Sequence, residues 1–134
     1  MRVVLLLAIL AAVLGSGASA ASAASSELRI TYWSEGRTQG TARSWTLRCG
    51  PVGGTLPRPG GACQKLAGMR SPFAPVPRDA VCTQQYGGPQ EALVQGVYRG
   101  GRIWARLTMR DGCQIARFKR LAFLVPTFSA GASS

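Results

Sequence analysis

The chain has 134 residues, with 16 basic and 5 acidic side chains, and its formal net charge at pH 7 is +11. It contains no histidine, which excludes Ser-His-Asp and Cys-His catalytic arrangements and all other acid–base chemistry of an imidazole. None of the carboxylates forms a close sequence pair, so we expect a protein that is not an enzyme. The length predicts one small domain, and we expect no cofactor.

The first residues have the pattern of a secretory signal peptide. Arg2 is followed by an apolar run, and small residues of the A-x-A type then occupy 18–20 and 21–23. The apolar run is shorter than the roughly 20 residues that cross a bilayer. We therefore expect cleavage after Ala20 or, in preference, after Ala23. The predicted signal peptide is 1–23, and the secreted domain, with no membrane attachment, is 24–134.

Cysteine usage indicates disulfide bonds. An even count in a small exported domain predicts two bonds, for which three pairings are possible. A zinc site would call for closely spaced ligands such as C-x-x-C or for histidines, and the chain has neither, so we expect no metal. The cysteines are Cys49, Cys63, Cys82 and Cys113.

The first half of the secreted part predicts two strands and one helix. Apolar and polar residues alternate in LRITYW at 28–33 and in RSWTLRC at 43–49, which is typical of strands with one buried face. The Gly- and Pro-rich stretch 50–61 predicts an ordered loop. ACQKLAGM at 62–69 contains good helix formers, and the prolines of 70–80 predict an extended surface segment.

The second half predicts a hairpin, a helix and a closing strand. EALVQGVY at 91–98 and RIWARLTM at 102–109 flank Gly100-Gly101, which permits positive φ at both positions of a tight turn. CQIARFKRL predicts a short amphipathic helix, and AFLV at 122–125 predicts a closing strand before a short disordered polar tail. The predicted class is α+β: an antiparallel sheet of about five strands, two short helices and two disulfides, with one sheet face covered.

The aromatic and acidic residues are predicted to have structural roles or to be solvated, rather than to bind a ligand. We expect the three tryptophans to be core or sheet-face residues rather than ligand platforms, and the carboxylates to be solvated charges. These residues are Trp33, Trp45, Trp104, Glu27, Glu35, Asp79, Glu91 and Asp111.

Several motifs together resemble the bacterial secreted subtilisin-inhibitor family. TLRCGPVGGTLPRPGGAC, VCTQQY and the DGC before the last predicted helix carry the resemblance, with all four cysteines in register. It covers about residues 28–125. It implies an inhibitor of subtilisin-like or trypsin-like serine proteases, which are then the expected partners, and it implies a homodimer that uses the uncovered sheet face.

The resemblance also implies roles for individual residues. The reactive bond would join Gln84, the specificity residue, to Gln85. Cys82 and Thr83 would form the reactive loop upstream, and Tyr86 and Gly87 would form it downstream. The implied disulfides are Cys49–Cys63 and Cys82–Cys113.

Two departures from the family pattern affect the expected strength of inhibition. The family usually has Met, Lys or a similarly long residue where Gln84 stands, so a trypsin pocket with its buried carboxylate would gain no ion pair. Gly87-Gly88 stands where the family commonly has one residue before the proline, and the extra glycine is expected to loosen the leaving side.

Two other functions remain open from the sequence. An arginine-rich secreted module could bind cell-wall or nucleic-acid polyanions, although nucleic acid is not among the expected partners. Alternatively, the exposed glutamines could be donor substrates of a transglutaminase.

Overall fold

The computed structural model describes residues 24–131 of the chain. The predicted signal peptide at 1–23 lies outside the described residues, as do the last residues of the predicted tail, 132–134. No helix in the described part is long and apolar enough to cross a membrane. In chain order the elements are β1 (Ser26–Trp33), β2 (Ala42–Cys49), α1 (Pro59–Ala67), β3 (Glu91–Tyr98), β4 (Gly101–Thr108), α2 (Gly112–Arg120), a 3-10 turn (Ala122–Leu124) and α3 (Pro126–Gly131).

The strands form one antiparallel sheet in the order β2-β1-β3-β4. The predicted α+β class is confirmed, with two main helices and two disulfides. The sheet of the described chain has four strands rather than about five.

The prediction of a closing strand at 122–125 is wrong, because Ala122–Leu124 forms a 3-10 turn instead. Its backbone bonds locally, with the N–H of Leu124 donating to the carbonyl of Leu121 at 3.0 Å and that of Val125 to Ala122 at 2.9 Å. Leu124 and Val125 are adjacent, yet both are fully buried. A run that is apolar on all sides has no period of two, so it is as compatible with a buried turn as with a strand.

The core lies between the sheet and the helices. Ile30 pairs with Trp45 on one side and Val94 on the other, and alternate residues along the strands point with it toward the helices. Leu66 of α1 and Phe118 of α2 are fully buried against this face. The helices therefore cover one face, which we call the inner face. The opposite, outer face carries no element of the described chain.

The β3–β4 hairpin turns one residue earlier than predicted. Tyr98 pairs with Gly101, so the two turn residues are Arg99 and Gly100, with φ values of 50° and 82°. The backbone N–H of Arg99 donates to the hydroxyl of the buried Ser26 at 2.9 Å. This bond from β1 helps to hold Arg99 in the left-handed conformation, which a non-glycine residue seldom adopts.

Both main helices have identifiable ends. α1 begins at Pro59, three residues before the predicted start, and proline suits the first turn because its missing N–H would have no helical partner. The Cys49–Cys63 disulfide joins this helix to β2. α2 begins after Asp111, whose carboxylate accepts a hydrogen bond from the N–H of Gln114 at 2.9 Å.

Candidate functional site

The segment 81–89 has no regular structure and contains the predicted reactive bond, so we call it the reactive loop. It connects the proline-rich segment 70–80 to β3. That segment is not extended throughout as predicted, because the N–H of Ala74 donates to the carbonyl of Ser71 at 3.2 Å and that of Ala80 to Pro77 at 3.1 Å, which closes two turns. Val81 is 100% exposed and Tyr86 is 67% exposed, and the glutamines between them are also exposed. Within residues 24–131 neither Gln84 nor Gln85 has a hydrogen-bond partner, so both side chains are free to enter the cleft of another protein.

The upstream side of this dipeptide is held by a disulfide and a backbone bond. Cys82 is bonded to Cys113, the second residue of α2, with 5.3 Å between the two Cα atoms. The next carbonyl, that of Thr83, accepts a hydrogen bond from the N–H of Gly112 at 3.0 Å. Two consecutive loop residues are therefore attached to the start of α2, and Gln84 follows directly.

The downstream side is held by Gly87. Its N–H donates to the carbonyl of Met109 at 2.7 Å, a short and therefore strong backbone bond. The leaving side, which the extra glycine was expected to loosen, is thus attached to the body at Gly87. Only Gln84, Gln85 and Tyr86 span the interval between Thr83 and this attachment.

Gly87 also lies against the core where a side chain has little room. A methyl group on its Cα would lie 2.9 Å from Cδ1 of Ile115 and 3.1 Å from Cε of Met109. Because these atoms end flexible side chains, the neighbours can move at modest cost. The glycine therefore permits the loop to approach α2 closely.

We expect Gly87→Ala to lower the free energy of unfolding by about 1 kcal/mol, because the loop or the two side chains must shift. Urea titration measures this change. The matched control is Gly61→Ala in α1, where an added methyl group meets no atom within 4 Å. That variant should be unchanged or slightly more stable, since alanine favours helix. Equal stability of the Gly87 variant and the wild type would contradict the close contact.

The segment before the reactive loop is fixed by Arg117 of α2. Its guanidinium donates to the carbonyls of Ala74 at 2.9 Å, Phe73 at 3.2 Å and Arg106 at 2.7 Å. Burial, and to a lesser degree the charge of Arg120, lowers the pKa of Arg117. One side chain thus connects the proline-rich segment to both α2 and β4. Sequence reasoning missed it, because the partners are backbone atoms, and two of the three belong to residues more than forty positions away.

The segment after the loop begins at a buried carboxylate, that of Glu91, which pairs with the half-exposed Arg106. Glu91 is 7% exposed, and its carboxylate accepts from Nε of Arg106 at 2.6 Å and from Nη2 at 3.2 Å, with Arg37 3.8 Å away. The hydrogen bond to Glu91 is the main cause that raises the pKa of Arg106. The expectation that Glu91 is a solvated charge is therefore wrong. The sequence does contain a signal for this ion pair. Glu91 and Arg106 lie at diagonal positions of the β3–β4 hairpin, and residues at such positions share one face of the sheet.

A metal site at the loop is not supported by its chemistry. Cys82, Asp111 and Cys113 bring their potential ligand atoms within 4.8 Å of one another. Both sulfurs, however, are joined in a disulfide and cannot act as thiolate ligands. The carboxylate of Asp111 is occupied by the N-terminus of α2.

The geometry thus presents a dipeptide that is exposed at its centre and attached on both sides. An exposed segment of this kind is accessible to the cleft of another protein, and attachment on both sides reduces the ordering entropy lost on binding. Of the residues predicted for this site, Cys82, Thr83, Tyr86 and Gly87 all lie in the same loop as the two glutamines.

Comparisons with known proteins agree on one family. A family model described as "Subtilisin inhibitor-like" matches residues 22–110. Subtilisin inhibitor-like protein 1 of Streptomyces cacaoi is 37% identical over 92 residues, covering 60% of this chain and 83% of that protein. Subtilisin inhibitor-like protein 4 of Streptomyces lavendulae is 32% identical over 89 residues, covering 65% of this chain and 77% of that protein.

A solved structure is also similar. It is Streptomyces caespitosus sermetstatin in complex with Bacillus licheniformis subtilisin, at 25% identity and a TM-score of 0.46, covering 69% of this chain and 90% of that one.

Proposed function

The chain belongs to the subtilisin inhibitor-like family, and from this we propose that it inhibits a serine protease through its reactive loop. The observation that carries the proposal is the exposed Gln84–Gln85 dipeptide between two attached ends, Cys82–Thr83 and Gly87. Such a loop enters a cleft already in the bound shape. Rigid inhibitors that bury about 800 Å² per partner form some of the tightest protein complexes.

The proposed mechanism uses retention of both cleavage products. The serine oxygen of the protease would attack the carbonyl carbon of Gln84 and release the amino group of Gln85. The disulfide at Cys82 keeps the acyl side on the inhibitor, and the bond from Gly87 to Met109 keeps the new amine nearby. The amine can therefore attack the acyl group and restore the peptide bond before water enters, so net hydrolysis is slow.

The target we propose is a protease of the subtilisin class. Gln84 is long but uncharged, so a broad apolar pocket accepts it, whereas the carboxylate of a trypsin pocket finds no cation. Val81 and Tyr86 flank the dipeptide with apolar surface that is 100% and 67% exposed. Side chains so exposed are available for burial in neighbouring pockets of the protease, and that burial adds affinity.

Secretion forms part of the same proposal. The two disulfides are typical of proteins that fold in an oxidising compartment. Removal of residues 1–23 as a signal peptide would deliver the domain to the exterior, where secreted proteases act.

Homodimer formation through the outer face, which the family resemblance implies, is part of the same proposal. A twofold contact places the same patch on both sides. On this face Arg106 is already paired with Glu91, and the exposed Arg29 and Arg102 share the face with Glu27.

The proposed function predicts slow, specific cleavage during inhibition. Incubation with a panel of subtilisin-like and trypsin-like proteases should abolish subtilisin activity at near-stoichiometric inhibitor. Intact-mass and peptide analysis should then detect a single cut, between Gln84 and Gln85. Rapid degradation without inhibition would contradict the proposal. So would labelling of either glutamine by a primary-amine probe and transglutaminase, combined with no inhibition across the panel.

A further inference from the structure

The proline-rich segment that leads into the reactive loop is attached to α2 at two points. At the first, the guanidinium of Arg117 donates to the carbonyl of Ala74 at 2.9 Å. At the second, Cys82 is bonded to Cys113. Arg117 and Cys113 are four residues apart, so they lie on one face of the helix about one turn from each other. The chain 74–82 therefore spans this helix face between two attachments, and we call it the arch.

Few contacts within the arch determine its shape. Pro75 and Pro77 have no backbone N–H to donate. Between residues of the arch the described chain has one backbone hydrogen bond, from the N–H of Ala80 to the carbonyl of Pro77. An open hollow lies between the arch and the side chains of Ala116 and Arg120 on α2. The position of the arch therefore depends on the attachments at its two ends.

Arg117 holds the first end with a half-buried cation. None of the ion pairs within residues 24–131 includes it, and its three acceptors are backbone carbonyls. Two of these carbonyls belong to the chain at the start of the arch, and the third, that of Arg106, belongs to the edge strand β4. A planar guanidinium donates in several fixed directions at once, whereas an ammonium group is a compact point charge. The fork of the arginine, and not only its charge, therefore joins the arch to β4 as well as to α2.

The arch leads directly to the bond that we propose as reactive. It ends two residues before Gln84, and Val81 within it is 100% exposed. A protease that binds the loop therefore meets the end of the arch next to its cleft. Chain that is already ordered loses less entropy when it binds. After cleavage, the arch is also the stretch of chain that carries the acyl group of Gln84.

We propose that Arg117 is a positioning residue for inhibition, an inference that rests on the proposed function. Arg117 acts through the arch, which it keeps ordered while the protease is free, bound or acylated. Without its hydrogen bonds the arch is attached at Cys82 alone, so more ordering entropy is lost on binding. The acyl group of Gln84 then moves away from the amine of Gln85 more often, and hydrolysis gains over religation.

The test compares R117Q with two matched controls. R120Q removes the same charge from an exposed position of the same helix, and I30V truncates a fully buried side chain in the middle of the sheet. The inhibition constant for subtilisin and the rate of cleavage at Gln84–Gln85 are measured where all the proteins are folded. We expect R117Q to inhibit at least ~10-fold more weakly and to be cleaved at least ~10-fold faster. Both controls should stay within about 2-fold of wild type.

Two further measurements separate the order of the arch from inhibition and the fork from the charge. Trypsin cleavage after the exposed Arg78 reports on the arch without subtilisin, and it should be at least ~10-fold faster in R117Q than in wild type. R117K keeps the charge but not the fork, so its inhibition should lie between those of wild type and R117Q. Thermal unfolding confirms that each variant is folded, and R117K carries the comparison if R117Q does not fold.

Three results would overturn the inference while leaving the proposed function intact. Unchanged inhibition and cleavage at Gln84–Gln85 in R117Q, with faster cutting after Arg78, would mean that order in the arch does not affect inhibition. Equal losses in R117Q and I30V would assign the effect to general stability. Inhibition by R117K equal to that of wild type would mean that the charge alone is sufficient. Absence of inhibition by the wild-type protein across the protease panel would instead refute the proposed function itself, and the inference with it.

Discussion

Replacing Cys82 and Cys113 with serine is expected to convert the proposed inhibitor into a substrate. The double variant C82S/C113S leaves the loop attached upstream by a single backbone bond, from Gly112 to Thr83. The acyl side of the cleaved bond then separates more readily, and the loop loses ordering entropy when it binds. We expect inhibition of subtilisin to weaken at least ~100-fold and cleavage at Gln84–Gln85 to become rapid.

The control for this variant is C49S/C63S, which removes the disulfide between β2 and α1. The sequence separations of the two bonds are 14 and 31. The chain-entropy estimate therefore gives similar losses of stability, about 3 and about 4 kcal/mol. Both variants are assayed below their unfolding temperatures, with inhibition constants and the time course of cleavage measured together. Loss of inhibition in both to the same extent would show that general stability, rather than the attachment of the loop, determines inhibition.

Gln84→Lys is expected to create trypsin inhibition. The side chain is exposed and has no partner in the described chain, so the substitution leaves the fold unchanged. A lysine at this position places an ammonium group against the carboxylate of a trypsin pocket. Coupling energies of close charge pairs across a tight protein–protein interface reach about 1.5–7 kcal/mol, so we expect affinity for trypsin to rise at least ~10-fold.

The measurement is a titration of trypsin with the variant, and the control is Gln85→Lys on the leaving side of the bond. That variant adds the same charge one residue away, outside the specificity pocket, and should produce a much smaller gain. If Gln84→Lys brings no gain, or if Gln85→Lys brings the larger one, the bond assigned as reactive is wrong.

Much of the fold was predictable because apolar and polar residues alternate along its strands. Leu28, Ile30 and Leu47 repeat with a period of two, and all are buried on the inner face as predicted. The helix α2 was also predictable, since Asp111 and Gly112 mark its start and Ile115 and Phe118 form its buried side.

The errors come from places where local pattern does not determine structure. The run at 122–125 is apolar throughout, and burial of Leu124 and Val125 beneath the helices suits a 3-10 turn as well as a strand. The turn position at Arg99 depends on the hydroxyl of Ser26, a residue distant in sequence.

The loop itself was found through its motif, whereas its supports were not. The sequence led to Gln84 and Gln85 by family resemblance. The bonds from Arg117 to three carbonyls and the packing of Gly87 on Ile115 arise only when α2 lies against the loop. Such tertiary contacts have no local sequence signal.

The supports of the loop share one short stretch of chain. Met109, Gly112, Cys113, Ile115 and Arg117 all contact the loop or the segment before it. The chain on both sides of the Gln84–Gln85 bond is thereby attached to the same stretch, 109–117. A distortion of distant strands therefore moves both attachments together and leaves the distance between them unchanged. Substitutions on the outer face of the sheet can accordingly leave unchanged the spacing between the two attachments of the loop that we propose for protease binding.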